Sequence, residues 1–421
     1  WYLRMLRDSP AAAERLCQIL SSSRYITDLL EDAPTSITWL DKVADLQPLS
    51  AGALKAEITS LLSRHEDSAD AMRAVRYLRR REILRIAMGD ALNLLSVQQV
   101  CTGLATVDEC TIGAALALAE REEVKAGERD EETAPQKSDA PQRDSLEAAG
   151  ENSEEEQRNP LLTEITVIAM GRLGGAENGF GSDADVMFVH RPVEGADEKE
   201  AQAQANRIVN RLMQLIKQPV RPAIRAERPL EVDADLRPEG KQGALVRSLD
   251  SYRAYYERWA ETWEFQALLR ARPIAGSEDL GSAFVELIDP YRYPHEFTVE
   301  QAQQVRRMKA RVEHERMPHG ADRTRQLKLG RGGLSDVEWL VQLIQLQHAH
   351  KVEGLRTTST LEALNAAVEA NLVTAEDAEV LRDAWLLATK IRGGNVLRGV
   401  RQSDLLPTLR DALEAVARWS G

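Results

Sequence analysis

Two runs of β-forming residues, separated by a glycine-rich turn, constrain the fold of this chain most strongly. Residues 165–170 read Ile-Thr-Val-Ile-Ala-Met, and residues 183–190 read Asp-Ala-Asp-Val-Met-Phe-Val-His. Residues 171–182 between them contain five glycines. Apolar, β-branched runs bounded by turn residues are typical of buried strands. The pattern therefore predicts a sheet in which a glycine-rich turn leads into a strand that begins with two acids.

The acids of the second run are spaced for a common site. Side chains alternate between the faces of a strand, so Asp183 and Asp185 are expected on the same side. A third β-like run, residues 230–236, carries three further acids on one face: Glu231, Asp233 and Asp235. If this run lies beside the second, one of these acids can join Asp183 and Asp185. Carboxylates together with substrate phosphates are the ligands that Mg²⁺ prefers, and the pattern predicts metal-assisted phosphoryl or nucleotidyl transfer.

The turn and nearby arginines are candidates for holding phosphate. Glycine allows backbone N–H groups to approach phosphate oxygens closely, which makes Gly174, Gly175 and Gly181 candidate binding residues, and Ser182 adds a hydroxyl donor. Arginine binds phosphate through paired N–H groups. The arginine candidates are Arg237, Arg270 and Arg272.

A structural interpretation of those arginines stays open. They could instead form ion pairs with Glu264 or Glu231. Trp263 and Trp339 are expected to anchor hydrophobic cores rather than stack on a base.

Composition excludes several other classes of protein. The net charge of −13 argues against a nucleic-acid-binding face. The three cysteines include no CxxC pair and give no disulfide framework, as expected for a cytoplasmic protein. No apolar stretch approaches the ~20 residues needed to cross a bilayer, so no membrane partner is expected. No Walker A pattern GxxxxGK[ST] is present, so a P-loop enzyme is not indicated.

Four regions follow from changes in pattern along the chain. Residues 1–120 are predicted to be helical, residues 160–275 to form a mixed catalytic domain, and residues 280–421 to form a helical bundle. Residues 121–159 are acidic and poor in large apolar side chains, so this segment is expected to be a disordered insertion. Because the chain starts at Trp1 without methionine and stops just after a helical pattern, we expect a fragment, truncated within the bundle.

Five motifs occur in a recognisable order: GRLGG at 171–175, GSDAD at 181–185, VDADLRP at 232–238, TWEFQALLRAR at 262–272 and GGLSDVEW at 332–339. Together they resemble the glutamine synthetase adenylyltransferases, bifunctional enzymes of the polymerase-β-like nucleotidyltransferase superfamily. The resemblance implies an α+β polymerase-β-like core with a mixed sheet, flanked by helical regions. It also implies metal-binding and catalytic roles for Asp183, Asp185 and Asp233, and phosphate binding by Gly181 and Ser182.

The resemblance also carries a reaction and its participants. It implies Mg²⁺-dependent transfer of AMP from ATP to a tyrosine of glutamine synthetase, with Mn²⁺ as a possible substitute, and hence control of nitrogen assimilation. A PII-type signal protein and glutamine are the implied regulators. The amino-acid sequence just before residue 183 and at 262–268 resembles that of the C-terminal, AMP-attaching half of these enzymes. The alternatives are phosphorolytic removal of AMP, or a regulatory binding module without turnover. Asp235 stands where relatives often have arginine, so its membership of the metal site is left open.

Overall fold

The computed structural model describes residues 2–133, 161–224, 226–399 and 404–420. In these ranges helices predominate, and five short strands form one mixed sheet. This confirms the expected α+β class with a mixed sheet.

The N-terminal part of the chain is helical, as expected. Its six α-helices are α1 (Tyr2–Asp8), α2 (Pro10–Ser22), α3 (Arg24–Asp32), α4 (Ala51–Arg64), α5 (Ser68–Ala91) and α6 (Val97–Thr133). Side-chain oxygens stabilise several helix starts: Ser23 accepts the N–H of Ile26, and Asp67 accepts that of Asp70. Short 3₁₀ turns at Pro34–Leu40 and Val43–Leu46 connect α3 to α4.

Helix α6 corrects two details of the sequence analysis. It continues to Thr133, so the first part of the acidic segment 121–159 is helical, while residues 134–160 lie outside the described residues. Its stretch Val97–Gly127 is long and apolar enough to cross a membrane by length and composition alone. However, 72% of the apolar window is buried, against α4, α5 and the later helix α8 (Glu198–Lys217). Such burial is typical of a core helix in a globular protein.

The sheet has the order β3-β2-β1-β5, with β4 also paired to β2. The strands are β1 (Thr163–Ala169), β2 (Ala184–Pro192), β3 (Val232–Asp233), β4 (Val246–Ser248) and β5 (Arg272–Gly276). The first two pair antiparallel, with Thr163 opposite Pro192 and Ala169 opposite Val186, whereas β3 runs parallel to β2. Helix α8 packs on β1 and β2 through its apolar side, including Ile208.

The region between the third strand and the C-terminal helices contains two short helices and a further strand. Two helices, α9 (Leu249–Arg258) and α10 (Thr262–Leu268), are separated by an interruption at residues 259–261 and followed by β5. Strand β5 pairs antiparallel with β1, so its conformation depends on a partner about a hundred residues earlier. The short helix α7 (Gly171–Gly174) occupies the glycine-rich turn between β1 and β2.

Six further α-helices follow β5 in the described residues, and several of them pack around a second hydrophobic core. These are α11 (Glu278–Arg292), α12 (Val299–Glu315), α13 (Leu334–His348), α14 (Thr360–Glu369), α15 (Ala375–Leu397) and α16 (Arg410–Ser420). Trp385 of α15 is fully buried among apolar residues of α13 and α14. The loop before α13, residues 316–333, faces the sheet edge that carries the acids.

Candidate active site

The pairing of β2 with β3 brings acids from distant parts of the chain together. Asp185 lies directly opposite Asp233 in the parallel register, and the N–H of Ala184 donates to the carbonyl of Glu231 at 2.8 Å. Asp183 stands just before β2, two residues from Asp185. Three aspartates that the sequence predicted as a group therefore line one cleft: Asp183, Asp185 and Asp233.

Gly171 makes room for the central acid. Its φ of +51° lies in the left-handed region, which favours glycine. A Cβ placed at this position would clash with the carboxylate of Asp185. The first glycine of the turn is thus required both by its backbone conformation and by the side chain that passes over it.

Burial and the crowding of like charges raise the pKa values of two of the acids. Burial, together with the carboxylates of Asp233 and Asp183, raises the pKa of Asp185 to about 6. Burial, with Glu231 and Asp233 nearby, also raises the pKa of Asp183. Lys328 opposes both shifts, and its positive charge favours the ionised forms.

These acids suit a hard divalent cation chemically. Within the described ranges, no group of three or more His, Cys, Asp or Glu side chains has the spacing of a metal site. Burial and the neighbouring carboxylates raise the pKa values of Asp183 and Asp185, so a bound divalent cation would favour their ionised forms. Oxygen donors gathered in this way fit Mg²⁺ or Mn²⁺ rather than a soft metal.

The acids open into a cleft of about 1060 Å³ between the sheet and the C-terminal helices. Its far wall comes from the end of α12, the loop before α13 and α13 itself, including Arg316, Lys328 and Trp339. Trp263 of α10 lines the near wall. Both tryptophans are only partly buried: Trp339 packs against the second core, as expected, and also lines the cleft, whereas Trp263 belongs to no core cluster of the described residues.

Gly181 and Ser182 lie on the other side of Asp183. They line a smaller cavity of about 300 Å³ against the N-terminal helices, and Asp183 contributes to both spaces. Gly181 has a φ of +73°, and the hydroxyl of Ser182 accepts the N–H of Gly179 at 2.9 Å. The hydroxyl proton of Ser182 remains available to donate to a ligand, so this turn keeps the geometry of a candidate phosphate-binding element.

Gly174 and Gly175 lie outside the cleft that holds the aspartates, which corrects their expected role in cofactor binding. A Cβ at Gly174 would clash with the backbone carbonyl of Arg270, and one at Gly175 with its guanidinium. Both glycines therefore permit close packing of the turn on the segment after α10.

Arg237 is also unavailable as a phosphate ligand. Its side chain is buried, and it donates to the backbone carbonyls of Ala234 at 2.7 Å and Gly243 at 3.2 Å. It holds the loop after β3 in place.

The other two arginine candidates are structural, although their partners differ from those anticipated. Arg270 forms a buried ion pair with Glu177 at 3.2 Å and donates to the carbonyl of Thr358. Arg272 pairs with Glu109 of α6. Neither pairs with Glu264 or Glu231, because β5 carries this segment to the opposite edge of the sheet.

The structure separates Asp235 from the other acids. Strand β3 ends at Asp233, so the alternation expected over 230–236 does not continue. Asp235 pairs instead with Lys241 at 3.1 Å, and its N–H donates to Asp233 at 2.7 Å. Glu231 is exposed and lines the smaller cavity. Of the three acids in this run, Asp233 is the one that lines the large cleft.

The sequence analysis did not predict the basic side chains of the far wall as site residues. Lys328 and Arg316 face the aspartates from a region more than 80 positions later in the sequence. Lys328 adjoins the GGLSDVEW motif that carried the resemblance, which was the available signal.

Two family models match this chain, one over its N-terminal and central parts and one over its C-terminal part. A family model described as glutamate-ammonia ligase adenylyltransferase matches residues 13–142 and 136–287, more than half of the chain. The chain belongs to this family. A second model, described as GlnD PII-uridylyltransferase, matches residues 306–421, which include the far wall of the cleft. The family assignment confirms the resemblance noted in the motifs.

Members of the family from actinobacteria are similar along the whole chain. The bifunctional glutamine synthetase adenylyltransferase/adenylyl-removing enzymes of Nocardia farcinica and Corynebacterium glutamicum are 44% identical, and that of Mycobacterium tuberculosis is 43% identical. Each alignment covers 100% of this chain but only 38–39% of the relative. The chain thus spans about two fifths of the length of these relatives.

Proposed function

We propose that this chain catalyses Mg²⁺-dependent transfer of AMP from ATP to a tyrosine of glutamine synthetase, lowering its activity in the control of nitrogen assimilation. The observation that carries the proposal is the convergence of Asp183, Asp185 and Asp233 from two neighbouring strands on one large cleft. Family membership supports the reaction class, and a polymerase-β-like core is the finer fold assignment that goes with it.

Each part of the cleft has a role in this proposal. Asp183, Asp185 and Asp233 would hold Mg²⁺, or Mn²⁺ in its place, and the Gly181–Ser182 turn would contact phosphate oxygens. When bound, the cation would neutralise phosphate charge and polarise the α-phosphorus. With a volume of about 1060 Å³, the cleft has room for the acceptor loop beside the nucleotide.

The reaction is a substitution at the α-phosphorus of ATP. The tyrosine oxygen forms a new bond to this phosphorus, while the bond to the bridging oxygen of the β-phosphate breaks. The bridging oxygen keeps the bonding electrons and leaves as part of pyrophosphate. In the proposed site the carboxylate of Asp233 would accept the tyrosine proton, because Asp233 lines the cleft and the N–H of Asp235 holds one of its oxygens in place.

Phosphorolytic removal of AMP is the second candidate. It is favoured by one specific observation: the relatives are described as both adenylyltransferases and adenylyl-removing enzymes, and this chain covers only about two fifths of each. In that reaction inorganic phosphate attacks the same phosphorus, the tyrosine oxygen leaves, and ADP is released. A cytoplasmic location and regulation by a PII-type protein and glutamine belong to the proposal in either direction.

The two directions are separated by supplying each set of substrates to the full chain. With Mg²⁺, ATP labelled at the α-phosphate and unmodified glutamine synthetase, we expect label on the protein and release of pyrophosphate. With adenylylated glutamine synthetase and inorganic phosphate, we expect no ADP. The reverse pair of results would assign the removing reaction.

Variants at the acids connect the activity to the site. Asp183→Asn and Asp233→Asn are expected to lower the rate by about a thousandfold or more, because ligands to the cation are lost. Asp235→Asn is the matched control, since this acid points away to Lys241, and it should retain most activity. Full activity in Asp183→Asn, or no reaction by the unmodified chain in either direction, would refute the proposal.

A further inference from the structure

Two basic side chains on the far wall of the cleft, Arg316 and Lys328, form no ion pair with another side chain in the described residues. Four basic side chains line the cleft: Arg270, Arg311, Arg316 and Lys328. Arg270 is paired with Glu177, and Arg311 with Glu315. No ion pair involves Lys328 or Arg316 within the described part of the chain. Both are exposed, in a cleft whose other wall is acidic.

The backbone around Lys328 is firmly held. Its N–H donates to the side-chain oxygen of Gln326 at 2.6 Å, and its carbonyl accepts the N–H of Ser335 at 2.9 Å. Gln326 is itself buried, and the preceding N–H, of Leu327, donates to the carbonyl of Asp404 at 2.7 Å. Because the loop is fixed, the ammonium group is presented from a rigid base although its side chain is free in solvent.

Arg316 is fixed in a similar way at the end of α12. It is the residue at which this helix ends, and its N–H donates to the carbonyl of Val312 at 2.9 Å. The positive charges of both Arg316 and Lys328 reach Asp185 across the cleft, which places them within electrostatic range of the aspartates.

A ligand that accounts for both walls must carry several negative charges. Three aspartates alone would repel a polyphosphate, and a cation bound to them compensates only part of its charge. Lysine binds phosphate as a point charge, and arginine adds paired N–H donors. A phosphate chain seated between the walls would meet the cation on one side and these two side chains on the other.

We propose that Lys328 and Arg316 bind the phosphate chain of ATP from the C-terminal helical region, opposite the aspartates. This inference rests on the proposed nucleotidyl transfer and adds a cationic half to its site. On departure, the leaving pyrophosphate would be held by the same two side chains. The catalytic cleft is then complete only when the region matched by the PII-uridylyltransferase model packs against the sheet.

Calorimetric titration of the full chain with pyrophosphate, and separately with ATP, in the presence of Mg²⁺ tests the proposal. Loss of a charged hydrogen-bond partner should weaken binding by roughly tenfold to a hundredfold in Lys328→Gln, and further in the double variant with Arg316→Gln. Lys328→Arg should recover much of the affinity. Adenosine, which has no phosphate, should bind all of these variants equally.

The matched control is Lys351→Gln, which changes an exposed lysine that does not line the cleft. In turnover assays Lys328→Gln should raise KM for ATP while leaving KM for the acceptor protein unchanged. Unchanged thermal unfolding would exclude misfolding, because Lys328 is exposed.

Equal affinity of the wild-type chain and the double variant for pyrophosphate would overturn this inference while leaving the proposed reaction intact. If the wild-type chain bound neither ATP nor pyrophosphate, both proposals would fall.

Discussion

At the scale of single residues, the carboxylate of Asp185 is partly buried and lies close to other negative charges. Its carboxylate lies over Gly171, opposite Asp233 and beside Asp183. Burial and these like charges disfavour its ionised form, and its pKa rises to about 6 from an ordinary value of 3.8. Because ionisation of Asp185 is unfavourable in the folded protein, a bound cation that compensates its negative charge should stabilise this carboxylate strongly.

Replacing Asp185 with asparagine should therefore stabilise the metal-free protein. Because the folded pKa is raised, the folded chain holds a proton that the unfolded chain has lost between about pH 4 and 6, and the free energy of unfolding falls as pH rises through this window. At about pH 7.5, Asp185→Asn should raise it by about 1–3 kcal/mol, and at about pH 4 the difference should vanish. Urea unfolding with a metal chelator present measures both.

The same variant should lose most of the stabilisation that divalent cations give the wild-type chain. Mg²⁺ or Mn²⁺ should stabilise the wild-type chain and leave Asp185→Asn almost unaffected, because a ligand is missing. Leu236→Ile, a mild change beside the same cleft, serves as a control and should keep the cation response. Equal stability of wild type and Asp185→Asn at both pH values would contradict the account of this carboxylate.

At the scale of elements, the glycine-rich turn is tied to the C-terminal helices through buried charge. Glu177 accepts hydrogen bonds from the N–H of Thr360 at 2.6 Å and from its hydroxyl at 2.9 Å, at the start of α14. Arg270 pairs with the same carboxylate at 3.2 Å. The turn after β1 and the first turn of α14 thus share one polar network, which fixes α14 relative to the sheet.

Removing only one partner of the buried ion pair between Glu177 and Arg270 should lower the free energy of unfolding. Glu177→Leu leaves the buried guanidinium of Arg270 without its counter-charge, and we expect the free energy of unfolding to fall by about 3–5 kcal/mol. The double variant Glu177→Leu with Arg270→Met removes both charges and should be less destabilised than Glu177→Leu alone. Chemical unfolding of the wild type, of Glu177→Leu, of Arg270→Met and of the double variant measures the coupling. A double variant that loses the sum of the single effects would show that the pair is not coupled.

The elements nearest the site were also those that the sequence predicted best. β1 and β2 lie within about two residues of their predicted positions, because their apolar patterns have one clear period. The third strand was expected over seven residues and has two, because the chain turns after Asp233 to reach Lys241. Strand β5 was missed because its extended form depends on pairing with β1, which a local pattern does not encode.

At the scale of the whole molecule, the site consists of two halves that come from separate parts of the chain. The aspartates could be grouped from sequence because strand alternation and two short motifs place them on one face. The role of Gly174, Gly175 and Arg237 could not, because it depends on which backbone packs against them. Lys328 and Arg316 escaped prediction for the same reason: only the docking of the C-terminal helices brings them to the acids.

The regions matched by the two family models lie on either side of the cleft. The adenylyltransferase model ends at residue 287, within α11, and the second model begins at residue 306, within α12. The cleft lies between these two regions, with acids on one side and unpaired cations on the other. In the proposed function, this arrangement would offer a polyphosphate a favourable site although the chain has a net charge of −13.

Crystals of the full chain grown with Mn²⁺ and a non-hydrolysable ATP analogue would test the central claim most directly. The account predicts anomalous scattering from manganese among Asp183, Asp185 and Asp233, with the phosphate chain beside it in the cleft. Nucleotide bound with no manganese at these three carboxylates, or manganese bound at another site alone, would contradict it.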